Sequence, residues 1–377
     1  MAVSNRIRTR LVYWLVIVMA IFGAAAIIPA CSPRFGKLPD GERLERVKAS
    51  PNYVDGEFRN QKPTEMLSGG RRLSVMWEFL FARKDSVRPP GPLPMRKTDL
   101  KSLDRNRDLA VWLGHSSMYL QLGGKRILID PVFEDNAAPF SFLNKAFSGA
   151  YPYSAADMPD IDCLVISHDH WDHLEYPTMI ALQPRIKSVV CPLGVGSHLE
   201  YWGFSPAVLS EGDWYDTFRP QPGLTVHIVP AQHFSGRWTR NNRTLWAGFV
   251  LETPGRRVFY SGDSGYGPHF AEVGEKFDGV DLAIMENGQY DPAWSKIHAS
   301  PEEAARAGED ARARALLPVH AGRFTIAHHS WDDPYIRITE ASRDKNFRLL
   351  TPIIGEVVFL DAPEQTFQRW WEAGATP

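Results

Sequence analysis

Four side chains able to ligate metal fall within six residues at His168, His170, Asp172 and His173, in the run Ser167-His168-Asp169-His170-Trp171-Asp172-His173. The apolar run 163–166 just before it reads as a buried strand, so the motif sits at a strand's C-terminal end. On a bent loop the alternate residues His168 and His170 can point the same way and chelate one metal. Asp172 and His173 then turn toward a second. Imidazole nitrogen and carboxylate oxygen without thiolate suit zinc, with manganese or iron also compatible. A merely capped polar loop explains the run poorly, because ionisable groups packed this closely need partners once buried. Further ligand candidates follow later apolar runs: His233 after 224–229, Asp263 after 257–260 and His320 after 315–317. One histidine after a strand is ordinary loop polarity. The recurrence after successive strands points to a site with two metals.

These loops need a scaffold of strands. Residues 109–113, 117–122 and 125–129 read as short strands, with Gly123-Gly124 as a hairpin turn. Further strands are expected at 163–166, 188–190, 224–229, 245–251, 257–260, 282–285, 315–317 and 356–360. Helices are expected at 177–183, 268–277, 301–313 and 334–345, each opening on a proline. Hairpins dominate the first half, and strand–helix alternation dominates the second. That mixture predicts an α/β fold with two sheets and helices on their outer faces.

The whole pattern resembles the metallo-β-lactamase superfamily of binuclear hydrolases, and within it the N-acylphosphatidylethanolamine-hydrolysing phospholipase D branch. The resemblance spans roughly residues 109–360. It is carried by Trp112-Leu113-Gly114-His115-Ser116, Ile129-Asp130-Pro131-Val132-Phe133, the motif at 166–174, Pro192-Leu193-Gly194 and Ser261-Gly262-Asp263-Ser264-Gly265-Tyr266. It continues through Gly288-Gln289-Tyr290-Asp291-Pro292-Ala293-Trp294 and Pro301-Glu302-Glu303-Ala304. The resemblance implies an αββα four-layer sandwich with two divalent ions, zinc by preference, at one edge. His168, His170 and His233 would hold the first metal. Asp172, His173 and His320 would hold the second, with Asp263 bridging. The apolar insertion at 135–156 and the N-terminal apolar run depart from the family pattern.

Two metals about 3.5–4 Å apart lower the pKa of a shared water toward neutrality, supplying a hydroxide nucleophile. No Gly-x-Ser-x-Gly or Cys–His motif offers an alternative. Besides Asp172, the candidate catalytic residues are Asp130, expected to orient the metal loop, and His298, which by the resemblance approaches a substrate phosphate. His115 is a weaker candidate of the same kind. His198, His227, His269, His328 and His329 are taken as surface or packing residues. Trp171, Phe234, Trp238, Trp246, Tyr266, Tyr290 and Trp294, with Phe140, Phe142, Leu143 and Phe147 of the insertion, would suit an apolar groove beside the metals.

The chain divides into residues 1–31, 32–108 and 109–377. Arg6, Arg8 and Arg10 precede residues 11–28, which carry no charged or amide side chain. As a helix that run spans about 27 Å, near the thickness of a bilayer's hydrocarbon core. One reading is an uncleaved single-span anchor. Another is a lipoprotein-type signal ending Ile28-Pro29-Ala30-Cys31, with Cys31 lipidated, and a third is a cleaved secretory signal. Basic residues flank the run on both sides, so the positive-inside rule favours an extracytoplasmic body only by a small margin. Residues 32–108, rich in proline, glycine and charge, read as a linker and covering segment, and 109–377 as the hydrolase domain. With 42 Lys+Arg against 44 Asp+Glu, the net charge of −2 argues against non-specific nucleic-acid binding. Three cysteines are too few for a disulfide framework. The expected function is a membrane-tethered phosphodiesterase acting on N-acylphosphatidylethanolamine-like phospholipids or other amphiphiles. A hydrolase of a small ester or lactone is the alternative.

Overall fold

Alternation along the strands sorts their apolar side chains into separate layers. The computed structural model describes residues 13–17, 19, 23, 32–67, 86–150, 152–238 and 240–372. After α1 (Gly41–Ala49) and a hairpin of β1 (Tyr53–Val54) and β2 (Glu57–Phe58), the chain enters β3 (Leu109–Gly114), β4 (Ser117–Leu122), β5 (Lys125–Ile129) and β6 (Cys163–Val165). Then come α2 (Tyr176–Leu182), β7 (Val189–Pro192), α3 (Gly196–Tyr201), β8 (Leu209–Gly212), β9 (Thr217–Gln221), β10 (Leu224–Val229), β11 (Gly248–Thr253) and β12 (Arg256–Tyr260). The chain closes with α4 (His269–Lys276), β13 (Leu282–Glu286), α5 (Pro301–Asp310), β14 (Ala315–Val319), α6 (Asp333–Ala341), β15 (Arg348–Leu349) and β16 (Val357–Phe359).

Among the described residues these strands form two seven-stranded sheets besides the hairpin, in the orders β16-β3-β4-β5-β6-β7-β8 and β15-β14-β13-β12-β11-β10-β9. In the first sheet Ala110, Trp112, Met118 and Leu120 face inward, while Leu109, Val111, Leu113 and Tyr119 face outward toward Met179 and Leu182 of α2. In the second, Val258, Tyr260, Leu282 and Ile284 point into the same central layer. Phe259, Ala283 and Met285 meet Phe270, Ala304 and Ile338 of α4, α5 and α6. Helix, sheet, sheet and helix thus stack around three apolar layers, the expected αββα order. Strands buried on both faces read as continuous apolar runs, which is why they are visible in the sequence.

The differences from expectation have local causes. The edge strands β8 and β9 carry half-exposed polar residues and Pro220, which suit an edge and hide the strand pattern. Residues 245–247, expected to begin a strand, instead cross between the sheets: Leu245 N donates to Leu193 O and Ala247 N to Ser167 O. The helix expected to reach 313 ends at Asp310, because Arg312 turns left-handed at φ 51°. Its start is sharp, with Ser300 and Glu303 forming a reciprocal capping box before Pro301.

Of the apolar run 11–28, residues 13–17, 19 and 23 are helical, and the rest lies outside the described residues. Among the described residues no helix is long and apolar enough to cross a membrane. Residues 32–67 do more than link. Phe35 wedges between Trp171 and Trp238 at 5.2 and 5.3 Å, and the Arg237 guanidinium lies 4.0 Å over Trp171 while donating to Arg34 O. Such edge contacts and a stacked guanidinium pin the segment beside the histidine loop.

Candidate metal centre

The parallel strands β5, β6, β12 and β14, together with β10, end on one edge, where the loops carrying Asp130, His168–His173, Asp263, His320 and His233 converge. Two of these turns, and the one between β3 and β4 beside them, are left-handed at non-glycine residues: Asp130 (φ 41°), His320 (φ 66°) and His115 (φ 52°). Such conformations cost free energy and persist where surrounding contacts over-determine them. The contacts are present. His320 N donates to His115 O, as does Trp112 Nε1. Gly262, at φ 60°, brings the backbone so close to Ala247 O that a Cβ would lie 2.5 Å from it, which only glycine avoids.

The donor atoms gather in two groups. His168, His170 and His233 form one, with His168 Nε2 and His233 Nε2 at 2.9 and 3.2 Å from His170 Nδ1. His115, Asp172, His173 and His320 form the other. Asp263 lies between them, its carboxylate 3.2 Å from His173 Nε2 and His320 Nδ1, 3.7 Å from His233 Nε2 and 3.9 Å from His168 Nε2. All seven residues of the expected ligand set therefore meet at one place. Asp130 stands behind them, fully buried. Its Oδ1 accepts from Ser167 N at 2.8 Å, and its Oδ2 from Ser167 Oγ at 2.5 Å and Tyr260 OH at 2.6 Å, with His173 Nδ1 at 2.8 Å.

These groups fit a cation. His173 Nε2, His320 Nε2 and Asp263 Oδ1 are buried and make no hydrogen bond among the described residues; the 3.2 Å approach of His173 to Asp263 lacks hydrogen-bond geometry. Buried orphan atoms are costly unless something satisfies them. Burial, reinforced by the neighbouring imidazoles, holds His168, His233 and His320 well below the ordinary histidine range, in the neutral form that ligates metal. Burial takes His170 down to about 4. It pushes Asp263 up to about 7, a cost that a cation beside the carboxylate would offset. Burial would also lower His173, but the charges of Asp263 and Asp172 outweigh it and hold this ring well above its usual range.

The Beta-lactamase superfamily domain matches residues 125–321, which include all seven residues of the expected ligand set. The chain belongs to the β-lactamase superfamily. It is 37% identical over 329 residues to a protein of Mycobacterium tuberculosis described only as uncharacterized, covering 85% of this chain and 87% of that one. It is 30% identical to the N-acyl-phosphatidylethanolamine-hydrolyzing phospholipase D 1 of Caenorhabditis elegans, over 66% of this chain and 74% of the relative. Among solved structures, a metallo hydrolase of Ignicoccus hospitalis superposes with a TM-score of 0.51 at 19% identity, over 67% of this chain and 97% of that one, a likeness of fold.

In this superfamily member two cavities meet at His298. One, of about 860 Å³, is lined by Met66, Leu67, Phe234, Trp294, Ile297 and Ile326. The other, of about 690 Å³, draws its lining mainly from residues with polar or charged groups, including Tyr290, Asp291, Glu303, His328, His329 and Arg337. The aromatic groove expected from the sequence therefore needs correcting. Only Phe234 and Trp294 of that set line the apolar cavity. Trp246 and Phe147 are core residues, and Tyr266 hydrogen-bonds Asp310 on α5. Trp171 and Trp238 hold Phe35 instead. Phe140 and Phe142 stack on each other with Phe142 72% exposed, outside the cavity lining. His328 and His329 line the second cavity rather than only packing.

The sequence does not single out Ser116, Asn60 or Glu286, and the expectation for His115 is a place beside the substrate rather than bracing a ligand candidate. Ser116 Oγ lies 2.8 Å from His320 Nδ1, and His115 Nε2 lies 2.8 Å from Asp172 Oδ2, so the pair His115-Ser116 braces two ligand candidates at once. Asn60 brackets His233, accepting from its N–H and donating to its C=O. Glu286 pairs with His298. The only available signal was the position of His115, Ser116 and Glu286 at strand ends. Asn60 had none.

Asp169, inside the motif, faces away from the two donor groups. It accepts from Gly236 N at 2.7 Å and Thr244 Oγ1 at 2.9 Å, and lies 3.2 Å from His198 Nε2. Burial would raise its carboxyl, but the His198 hydrogen bond and nearby positive charge outweigh that and hold it below the usual carboxylate range. Asp169→Ala should therefore destabilise the fold by about 3 kcal/mol, since it leaves buried donors unanswered. A depressed pKa contributes stability above the unfolded carboxylate value and loses it as pH falls below. The gap between parent and variant in urea midpoint should thus narrow in acid. A constant gap would refute the ionic part of this account.

Proposed function

We propose that this protein is a metal-dependent hydrolase with two divalent ions, preferably zinc, that cleaves a phosphodiester of an N-acylphosphatidylethanolamine-like phospholipid or similar amphiphile. The observation that carries this reading is the junction of the two cavities at His298, beside the paired donor sets. One chamber walled by apolar side chains and one that also presents charged and hydrogen-bonding groups, both reaching His298, suit a substrate with both characters. The relationship to a phospholipase D of Caenorhabditis elegans supports the phosphodiester choice.

His168, His170 and His233 would hold one ion, Asp172, His173 and His320 the other, with Asp263 between. When bound, the ions supply a water acidic enough to ionise near neutral pH and polarise the substrate's oxygen. The chain's own residues do the rest. Asp130 and Ser116 keep His173 and His320 in the orientations their donor atoms need, and His115 does the same for Asp172. His298 meets an oxygen of the scissile ester through its free ring nitrogen. Met66, Leu67 and Ile326 take the apolar chain. The apolar run 11–28 would keep the protein at the membrane surface where such substrates reside.

Chain length tests this reading. Each methylene withdrawn from water contributes about 0.8 kcal/mol, so long-chain phosphodiesters should turn over faster than short-chain ones at equal low concentration. The double substitution Met66→Ser with Ile326→Ser should erase that preference and leave a small chromogenic phosphodiester unaffected. Indifference to chain length, or preference for a lactone or short carboxyl ester, would select the small-substrate alternative.

A further inference from the structure

Glu286 ends β13 with 2% of its surface exposed, and among the described residues no lysine or arginine pairs with it. One carboxyl oxygen accepts from Ser264 N, next to Asp263, and the other meets His298 Nδ1. Its own N–H donates to Ser261 Oγ at 2.9 Å, so the residue is held at both backbone and side chain. A buried acid without a cationic partner costs free energy, and an apolar residue at this strand end would avoid the cost. Burial duly pushes the Glu286 carboxyl well above its ordinary range.

What Glu286 holds is the one imidazole that lines both cavities. The His298 ring lies parallel to His320 at 5.5 Å and edge-on to His233 at 4.8 Å. Those two contacts do not distinguish the ring from its flipped rotamer about Cβ–Cγ, which would exchange Nδ1 with carbon. The bond to Glu286 makes that distinction and leaves Nε2 as the nitrogen available to a ligand. We infer that Glu286 is a positioning residue, fixing His298 through Nδ1 so that Nε2 meets an oxygen of the ester being cleaved. This rests on the reading of the site as an ester- or phosphodiester-cleaving centre, but not on which of the two it cleaves. His298 touches the substrate; Glu286 acts through it.

A double-mutant cycle tests the pairing on purified, metal-loaded protein, using any phosphodiester or carboxyl ester that the parent hydrolyses. Glu286→Leu should lower kcat by about 10- to 100-fold, as loss of an orienting partner does, with little change in KM and with the parent's metal content. Glu286→Gln, which can still hydrogen-bond Nδ1, should recover most of that loss. Glu286→Leu combined with His298→Ala should be no slower than His298→Ala alone, because a positioning residue has nothing left to position. If the leucine variant does not fold, Glu286→Met carries the same cycle. Multiplying losses in the double variant would overturn the inference, as would a glutamine variant as slow as the leucine one. Loss of metal on substituting Glu286 would also overturn it, and would place Glu286 in a donor set with His298 and His320, whose ligand atoms lie within 4.8 Å of one another. The cycle needs only a substrate that turns over. Failure to hydrolyse phospholipid therefore counts against the substrate reading and leaves the pairing intact.

Discussion

Asp263→Ala is expected to lose activity and metal together. The carboxylate lies within 3.9 Å of four imidazoles drawn from both donor groups, so on the proposed two-ion reading its removal would take a donor from both sets at once. Lewis-acid catalysis is worth several kcal/mol, and each tenfold in rate corresponds to about 1.4 kcal/mol, so a loss on the order of a thousandfold in kcat/KM is expected. Metal analysis of the parent should give about two equivalents, and of the variant far less. The parent should also bind metal more tightly as pH rises. Burial pushes the Asp263 carboxyl up to about 7, and the charges of Asp263 and Asp172 hold His173 above its usual range, so the pair retains a proton that ligation must displace. Zinc titrations at about pH 6 and about pH 8 should show tighter binding at the higher value and proton release on binding. Full activity after thorough chelation, or a metal-replete Asp263→Ala variant, would remove the centre from the mechanism.

How much of this was legible in the sequence depends on the range over which each feature is encoded. The ligands could be read because each follows an apolar run, buried on both faces in every case but β10 before His233, and a polar residue at that strand end has few destinations but the shared edge. Glu286 satisfies the same rule and was passed over: a glutamate before Asn287-Gly288 looks like ordinary turn polarity until the fold brings His298 against it. Asn60 could not be found this way. It acts across 173 residues of sequence on His233, and nothing in its neighbourhood marks it. The apolar cavity fails for a similar reason. Its wall at 64–67 comes from a segment whose composition suggests a linker, while the conspicuous aromatics nearby were already committed to packing, as Trp246 and Phe147 are, or to clamping Phe35. Aromatic residues close in sequence to a site are poor guides to its lining, because their rings are large enough to be claimed by neighbouring layers first.

Asp130→Asn should be nearly as damaging as loss of a ligand, although Asp130 touches no expected metal position. Three groups converge on its Oδ2: Ser167 Oγ, Tyr260 OH and His173 Nδ1. An amide nitrogen in place of that oxygen would confront all three with a donor, in a position with no access to water. Rotating the amide only moves the conflict to Ser167 N, which donates to Oδ1. The hydroxyls of Ser167 and Tyr260 could turn to accept from the amide, but each would then have its own proton without an acceptor in this buried site, and His173 Nδ1–H can only donate. Leaving buried donors unpaired at one point predicts a loss of about 3 kcal/mol in unfolding free energy. Because His173 would lose the contact that orients its ring, metal affinity should fall by about 10- to 100-fold as well. Tyr260→Phe is the control. It removes one donor and leaves the carboxylate satisfied by the others, so it should cost about 1 kcal/mol and leave metal binding nearly unchanged. Denaturation and metal titration of both variants separate the two effects. An Asp130→Asn protein that binds metal as tightly as the parent would mean that His173 is oriented by its packing against His168 and His115 rather than by this carboxylate.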